Sequence, residues 1–164
     1  MKKKIGLLAV CVALIVIGWT FRTKEANVGS VSKSERKKYG ETIFNYMKAE
    51  TYFNSETIEA SPEVKKIKLV LEFYGQDVAK ERMTVYLNQT VLGLDEHGQD
   101  VYGSNFPAVY TLEKQKAGYK VTHYEEPRDG SFYQEDLKRM FPKKKFGSLN
   151  KLKSGKITFE EEIE

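Results

Sequence analysis

The hydrophobic pattern begins with one uncharged run near the N-terminus. Residues 5–21 carry no charge, follow Met1 and three lysines, and end at Arg22. As a helix that rises about 1.5 Å per residue, such a run spans roughly 25 Å, close to a bilayer core of about 30 Å. Two interpretations of residues 1–24 stay open: an uncleaved membrane anchor, or a secretory signal peptide. The lack of a clear small-residue cleavage site after the run favours the anchor.

Charges around the run predict its orientation. Three lysines and the terminal amine precede it, whereas only Arg22 and Lys24 follow closely. The positive-inside tendency therefore places the N-terminus in the cytoplasm and the rest of the chain outside it, as a single-pass membrane protein. The alternative is secretion after cleavage. Residues 25–33 are small and polar, and we interpret them as a linker from the membrane.

A helical period follows the linker. Tyr39, Ile43 and Met47 recur at every fourth position, which predicts an amphipathic helix over residues 35–50 with its apolar stripe in the core. Ser34 is the expected N-cap, since its hydroxyl can accept from a free backbone amide of the first turn.

From residue 66 the period changes to two, which is typical of strands with one buried face. Irregular apolar spacing near residues 89–91 suggests a bulge in the second strand. The last two strands form the clearest hairpin. In chain order we predict a strand at 66–73, a turn at 75–77, a strand from 83 to 94 with the bulge, a turn at 95–98, and strands at 109–113 and 119–123 joined through 116–118.

Beyond the sheet, Ser131 and Gln134 have the spacing of a capping box, which predicts a short helix ending near Phe141. The tail, residues 143–164, is charged and has two interpretations, a short last strand or a disordered segment. Residues 34–142 are thus expected to form an α+β domain: one amphipathic helix packed on a curved antiparallel sheet, with a short C-terminal helix. Cystatin-like and similar cone-shaped folds have this layout.

The positive charge of the chain is concentrated in its N-terminal segment. The chain has a net charge of +4 and a pI near 8.9. Residues 1–24 hold five basic and no acidic side chains, which leaves 22 basic and 23 acidic residues in the other 140, a net charge of −1. The basic pI belongs to the anchor, so we expect no nucleic-acid partner. The single cysteine, Cys11, lies in the apolar run and excludes an intramolecular disulfide.

Candidate chemistry is sparse. There are two histidines, and His97 falls in a predicted turn. His123 and Glu125 lie two apart on a predicted strand and therefore share a face, with Tyr124 between them. A metal site needs three or four ligands, and the sequence brings no third to this pair, so we predict neither metal nor cofactor. No nucleophile motif is present either. His123, Tyr124 and Glu125 remain candidates for ligand binding.

The segment around these candidates resembles a known family. An acidic–aromatic pair at Tyr124 and Glu125 precedes a Pro127-x-Asp129-Gly130 turn and a short helix ending in Phe-Pro. Over residues 110–142 this pattern resembles the extracytoplasmic regions of antirepressor-type membrane metallopeptidases of the β-lactam-sensing kind. The family's His-Glu-x-x-His motif is missing, so the resemblance implies an accessory or sensory domain and no peptidase activity.

Three functions follow as hypotheses. The first is a membrane-anchored extracytoplasmic domain without catalysis that binds a ligand, protein or peptide. Tyrosines on the strands either form its binding surface or pack in the ordinary way; they are Tyr74, Tyr86, Tyr102 and Tyr124. The second is a small envelope enzyme, which requires His123 and Glu125 in a concave pocket with a second acid. The third is a structural partner of another membrane protein.

Overall fold

The structure is a computed structural model that describes residues 28–50, 62–141 and 155–163 of the 164-residue chain. The apolar run at 5–21, and with it the predicted anchor or signal peptide at 1–24, lies outside the described residues. None of the helices in the described ranges has the length and hydropathy of a membrane span. The elements are α1 (Lys33–Glu50), β1 (Lys66–Ala79), β2 (Arg82–Leu94), β3 (Asp100–Gln115), β4 (Gly118–Glu125), a 3-10 turn (Gly130–Phe132), α2 (Tyr133–Met140) and β5 (Gly155–Glu162).

The described strands form one antiparallel sheet in the order β4-β3-β2-β1-β5. The expected α+β class is confirmed, with two helices and a five-stranded sheet in the described part of the chain. The β3–β4 hairpin is also confirmed. Of the two interpretations of the tail, the strand is correct, because β5 pairs with β1 from Lys66↔Glu162 to Phe73↔Gly155.

The main core lies between α1 and one face of the sheet. Tyr39, Ile43 and Met47 are at most 2% exposed, as the helical period predicts. Burying an apolar side chain of this size contributes about 1.5–3 kcal/mol, so this stripe holds the helix on the sheet. The strand side chains of this core are Ile67, Leu69, Leu71, Phe73, Met83, Val85, Leu87, Val91, Ala108, Tyr110, Leu112 and Val121.

Helix α1 reaches both edges of the sheet. The Phe44 ring stacks on Phe159 of β5 with 5.1 Å between centroids, and Tyr39 meets Tyr119 of β4 edge-on at 5.1 Å. Gly40 permits the close approach to β5, since a Cβ there would lie 2.8 Å from Cε2 of Phe159. The helix is therefore fixed between the two outer strands.

The start of α1 differs from the prediction. Ser32, and not Ser34, caps the helix: its hydroxyl accepts from the Glu35 amide at 3.3 Å, and the Glu35 carboxylate accepts from the Ser32 amide at 2.8 Å. This reciprocal pair is a capping box. The predicted linker already contacts the sheet, because Gly29 bridges Gln76 and Val31 is only 6% exposed. The small, polar composition of the segment gives no sequence signal for these contacts.

Two irregularities of the sheet also differ from the prediction. Strand β1 continues to Ala79, and the turn lies at residues 80–81 instead of 75–77. The β1–β2 pairing is instead irregular in β1 at Tyr74, where it shifts between Phe73↔Leu87 and Gly75↔Tyr86. Two further register shifts lie at Val101 of β3 and Thr122 of β4. Strand β2 keeps its alternation through residues 89–91 because Gln89, a polar side chain, occupies a fully buried core position.

The opposite face of the sheet carries α2. Met140 and Phe141 pack on Tyr86 and Val109 in a second, smaller cluster. The predicted capping box at Ser131 is wrong: Ser131 lies in the 3-10 turn, and α2 starts at Tyr133 without a side-chain cap hydrogen bond. An ion-pair cluster at Asp136, described below, fixes this helix instead.

Candidate functional site

The three residues singled out in the sequence do not form one site. His123 pairs with Thr111 and is exposed, on the face of the sheet away from α1. Glu125 pairs with Val109 on the same face, as the spacing predicts. Tyr124 lies on the α1 face, in the core cluster. His123 is exposed and lines neither of the two grooves described below, so the structure gives no support for the concave pocket that the enzyme hypothesis requires.

Glu125 belongs to an ion-pair cluster that holds α2. The Asp136 carboxylate, 1% exposed, accepts from the Arg128 amide at 3.0 Å, from Nε of Arg128 at 2.7 Å and from Arg139 at 3.1 Å. Arg139 also meets Glu125 at 2.5 Å. Hydrogen bonds from Arg128 hold the pKa of Asp136 far below its ordinary value. The pKa of Arg139 is raised, chiefly by its hydrogen bond to Glu125. Paired in this way, the Asp136 carboxylate stays charged, and the cluster attaches α2 to the sheet through Arg139 and Glu125.

Tyr124 belongs to a polar chain that begins inside the core. The Tyr110 hydroxyl donates to Oε1 of Gln89 at 2.7 Å, and Nε2 of Gln89 lies 3.4 Å from the Tyr124 hydroxyl. Tyr124 donates in turn to Glu126 at the surface. The Tyr46 ring covers this chain from α1, 6.4 Å from Tyr110 and 6.3 Å from Tyr124. These hydrogen bonds satisfy the buried side-chain amide of Gln89, which would be costly to leave unpaired in a core of low dielectric constant.

The predicted tyrosine surface is not continuous either. Tyr86 is buried in the smaller cluster at 6% exposure, and Tyr74 packs on Phe141 at a centroid distance of 6.2 Å. Tyr102 is 39% exposed on another strand. His97 lies in an exposed turn, as predicted. In the part of the chain that the structure describes, no group of three His, Cys, Asp or Glu side chains has metal-binding geometry.

A groove that the sequence did not indicate lies between α1 and the β3–β4 hairpin. It encloses about 820 Å³. Tyr46 and Tyr119 are half-buried along it, whereas the charged residues at its rim are exposed. The helix contributes Lys38, Glu41, Thr42, Asn45 and Tyr46, and the hairpin contributes residues 114–121, with Lys114, Lys116 and Lys120 among them. We call this feature the hairpin groove.

The hairpin groove is strongly basic. Lys38, Lys114 and Lys116 lie along it with a single acid, Glu41, and Glu41 is 4.0 Å from Lys37 outside the groove. Lys120 pairs with Glu113 on the opposite face of the hairpin, because its neighbours Tyr119 and Val121 face α1. Among the described residues Lys38, Lys114 and Lys116 form no ion pair within 4.0 Å, although Lys38 lies near enough to Glu35 to lower the pKa of that carboxyl. The topology brings Lys38 of α1 beside the two hairpin lysines. The net charge of −1 conceals them.

A strand edge accompanies this charge. Strand β4 is the outermost strand on its side of the sheet, and no described strand pairs with its outer edge. An exposed edge offers backbone donors and acceptors in a row, to which an extended peptide can add.

A second groove, of about 840 Å³, lies on the other flank of α1 against β5. Three of its four cations are engaged: Arg36 donates to the carbonyl of Val31 at 2.6 Å, Lys37 faces Glu41, and Lys156 lies 3.6 Å from Glu72. The fourth, Lys33, is exposed and forms no ion pair among the described residues. The hairpin groove is therefore the better candidate for an anionic ligand.

Comparison with known proteins adds no relative. No protein-family model, no curated protein and no solved structure matches this chain at a level that indicates a relationship.

Proposed function

We propose that this protein is a membrane-anchored extracytoplasmic domain without catalytic activity, which binds an extended acidic peptide segment in the hairpin groove. The observation that carries the proposal is the set of three exposed lysines, Lys38, Lys114 and Lys116, which form no ion pair among the described residues, beside a free strand edge. Carboxylates of the peptide would face Lys38 and Lys114, and its backbone would add to β4.

The rest of the chain supports this proposal. The apolar run at 5–21 has the length and flanking charge of an anchor. A cystatin-like or similar cone-shaped arrangement accounts for a helix that contacts both outer strands. The resemblance of residues 110–142 to β-lactam-sensing membrane proteins favours a sensory or accessory role over a structural one.

A peptide-binding experiment tests the groove. The full chain in lipid nanodiscs is titrated into a fluorescent oligoglutamate peptide, and an oligoglutamine peptide of the same length serves as the neutral probe. Fluorescence anisotropy should rise only with oligoglutamate, and salt should weaken the binding because the contacts are exposed ion pairs. N-methylation of alternate peptide amides should weaken it further, since methyl groups block addition to a strand edge.

A charge-matched pair of variants locates the binding. Lys114→Glu in the groove and Lys138→Glu on α2 change the net charge equally, and both side chains are exposed. Reversing one exposed contact changes the binding free energy by about 1 kcal/mol, so Lys114→Glu should weaken binding roughly fivefold. Lys138→Glu should leave it near wild type. Equal effects of the two variants, or equal binding of both peptides, would refute the groove.

A further inference from the structure

One end of the sheet carries exposed basic side chains. The β1–β2 and β3–β4 turns lie side by side there, since the Lys114 amide donates to the carbonyl of Glu81 at 2.8 Å. Val78, at this end, is 58% exposed, a large value for an apolar side chain in a strand. The exposed residues of interest are Val78, Lys80, Arg82 and Lys116, which we call the basic tip.

The free charge of the basic tip comes from its two lysines. Arg82 lies 3.0 Å from Glu113, which neutralises that pair. Lys80 and Lys116 form no ion pair among the described residues. The β1–β2 turn also holds one exposed acid, Glu81, which forms no ion pair among the described residues. The two adjoining turns therefore present two unpaired lysines and one unpaired acid, an excess of one positive charge.

The opposite end of the sheet is richer in acids. Asp95, Glu96 and Asp100 lie at the β2–β3 turn, and none of them pairs with a Lys or Arg among the described residues. The register brings the acids of β5 to the same end, where they face basic residues of β1 and α1. The backbone pairs there are Lys68↔Glu160, Ile67↔Glu161 and Lys66↔Glu162. The domain therefore has a small net charge but a separation of charge along the strands.

The N-terminal end of the described domain, from Val28, lies near the basic tip. Val28 packs on the α2 face, Gly29 bridges the edge of β1 at Gln76, and Val31 is buried on the α1 face. Only six residues separate Val28 from the apolar run that ends at Phe21. At no more than about 3.4 Å per residue, they reach roughly 20 Å. An anchored domain thus stays close to the bilayer, where electrostatics decides which end faces it.

We propose that the basic tip lies on the anionic headgroups of the bilayer that holds the anchor, with Val78 at the interface. This inference rests on the proposed membrane anchoring. Cations spread over two adjoining turns suit a charged plane, because each reaches a different headgroup, and an exposed apolar side chain among them adds an interfacial contact. The acidic turn between β2 and β3 is repelled by the same surface and points away from it.

A depth measurement on the full chain tests the tip. In a Cys11→Ala background, an environment-sensitive fluorophore is placed at Val78→Cys, or at Val101→Cys near the acidic end, where the native side chain is 41% exposed. Bilayers of phosphatidylcholine alone are compared with bilayers that also contain phosphatidylglycerol. With the anionic lipid, the probe at position 78 should shift to the blue and be quenched by headgroup-labelled lipid. The probe at position 101 should do neither.

Charge variants and flotation separate the two ways in which the inference can fail. Lys80→Asn with Lys116→Glu should weaken the response at position 78 roughly fivefold for each unit of charge removed. Asn suits position 80 because Lys80 has a φ of 58°. If the chain floats with neutral vesicles but the probe at 78 stays in water on anionic ones, the tip inference alone is wrong. If the chain does not float with neutral vesicles, the anchoring fails and the inference fails with it.

Discussion

The buried hydrogen bond between Tyr110 and Gln89 gives the sharpest test of the core. Both side chains are 0% exposed, and the hydroxyl donates to Oε1 of Gln89 at 2.7 Å. Tyr110→Phe keeps the ring and removes the donor. A buried acceptor that loses its donor costs about 1–3 kcal/mol, so we expect a loss of about 2 kcal/mol in the free energy of unfolding.

The second single variant and the double variant give the coupling free energy between positions 89 and 110. Gln89→Leu removes the amide at similar volume and takes the acceptor from the Tyr110 hydroxyl, so it should also destabilise. The double variant replaces both partners by apolar groups, which is nearly neutral when the shapes match. With a loss of about 2 kcal/mol in each single variant and almost none in the double variant, the coupling free energy between the two positions should approach about 4 kcal/mol.

Thermal unfolding of the full chain in mild detergent, followed by near-ultraviolet circular dichroism of the tyrosines, measures the cycle. For a domain of this size about 1 kcal/mol corresponds to roughly 4 °C, so Tyr110→Phe should lower Tm by about 8 °C. Tyr102→Phe, at a 39% exposed position, is the control and should change Tm by no more than about 2 °C. Additive effects, or a Tyr110→Phe variant as stable as the control, would contradict this account of the core.

Two further predictions concern the attachments on either face of the sheet. Because the folded-state pKa of Asp136 is lowered, its contribution to stability is present above the unfolded-state value near about 4 and is lost as the pH falls through the lowered pKa. Asp136→Asn should thus lower Tm at neutral pH and flatten its decline in acid, whereas the exposed Asp129→Asn should do neither; parallel pH profiles would argue against this. Gly40→Leu should clash with Phe159 and cost about 1–3 kcal/mol, visible in urea unfolding and in faster amide exchange of β5, while Asn45→Leu on the exposed side of α1 should leave β5 protected.

The sequence predicts those parts of the fold that repeat a period. The stripe of α1, the alternation of β1 and the β3–β4 hairpin can all be inferred, because each depends on neighbouring residues. Prediction fails where a tertiary contact decides the local structure. In the sequence, the polar residue Gln89 interrupts the apolar alternation of β2. Its side-chain amide can be buried because it forms hydrogen bonds with Tyr110 and Tyr124, and these partners cannot be inferred from the neighbouring residues. The irregularity of β1 at Tyr74 has no local sequence signal of comparable strength.

The candidate site shows the same limit more clearly. His123, Tyr124 and Glu125 attract attention because they are adjacent, yet adjacent strand residues face opposite sides of a sheet, and these three have separate surroundings. The hairpin groove escapes prediction for the opposite reason. Its lysines come from α1 and from a hairpin far along the chain, so no short window of sequence contains them together.

Net charge misleads in a similar way, and the reason lies in the topology. An antiparallel sheet returns the chain to the same two ends, so residues of successive turns accumulate at one end or the other. Here Lys80 and Lys116 lie at one end, while Asp95 and Glu96 lie at the other. A total near zero therefore coexists with opposite charge at the two ends of the sheet, and charges separated by more than a Debye length, about 8–10 Å, act on a surface independently. It follows that neutralising the basic tip should change the domain's orientation on a bilayer without changing its fold.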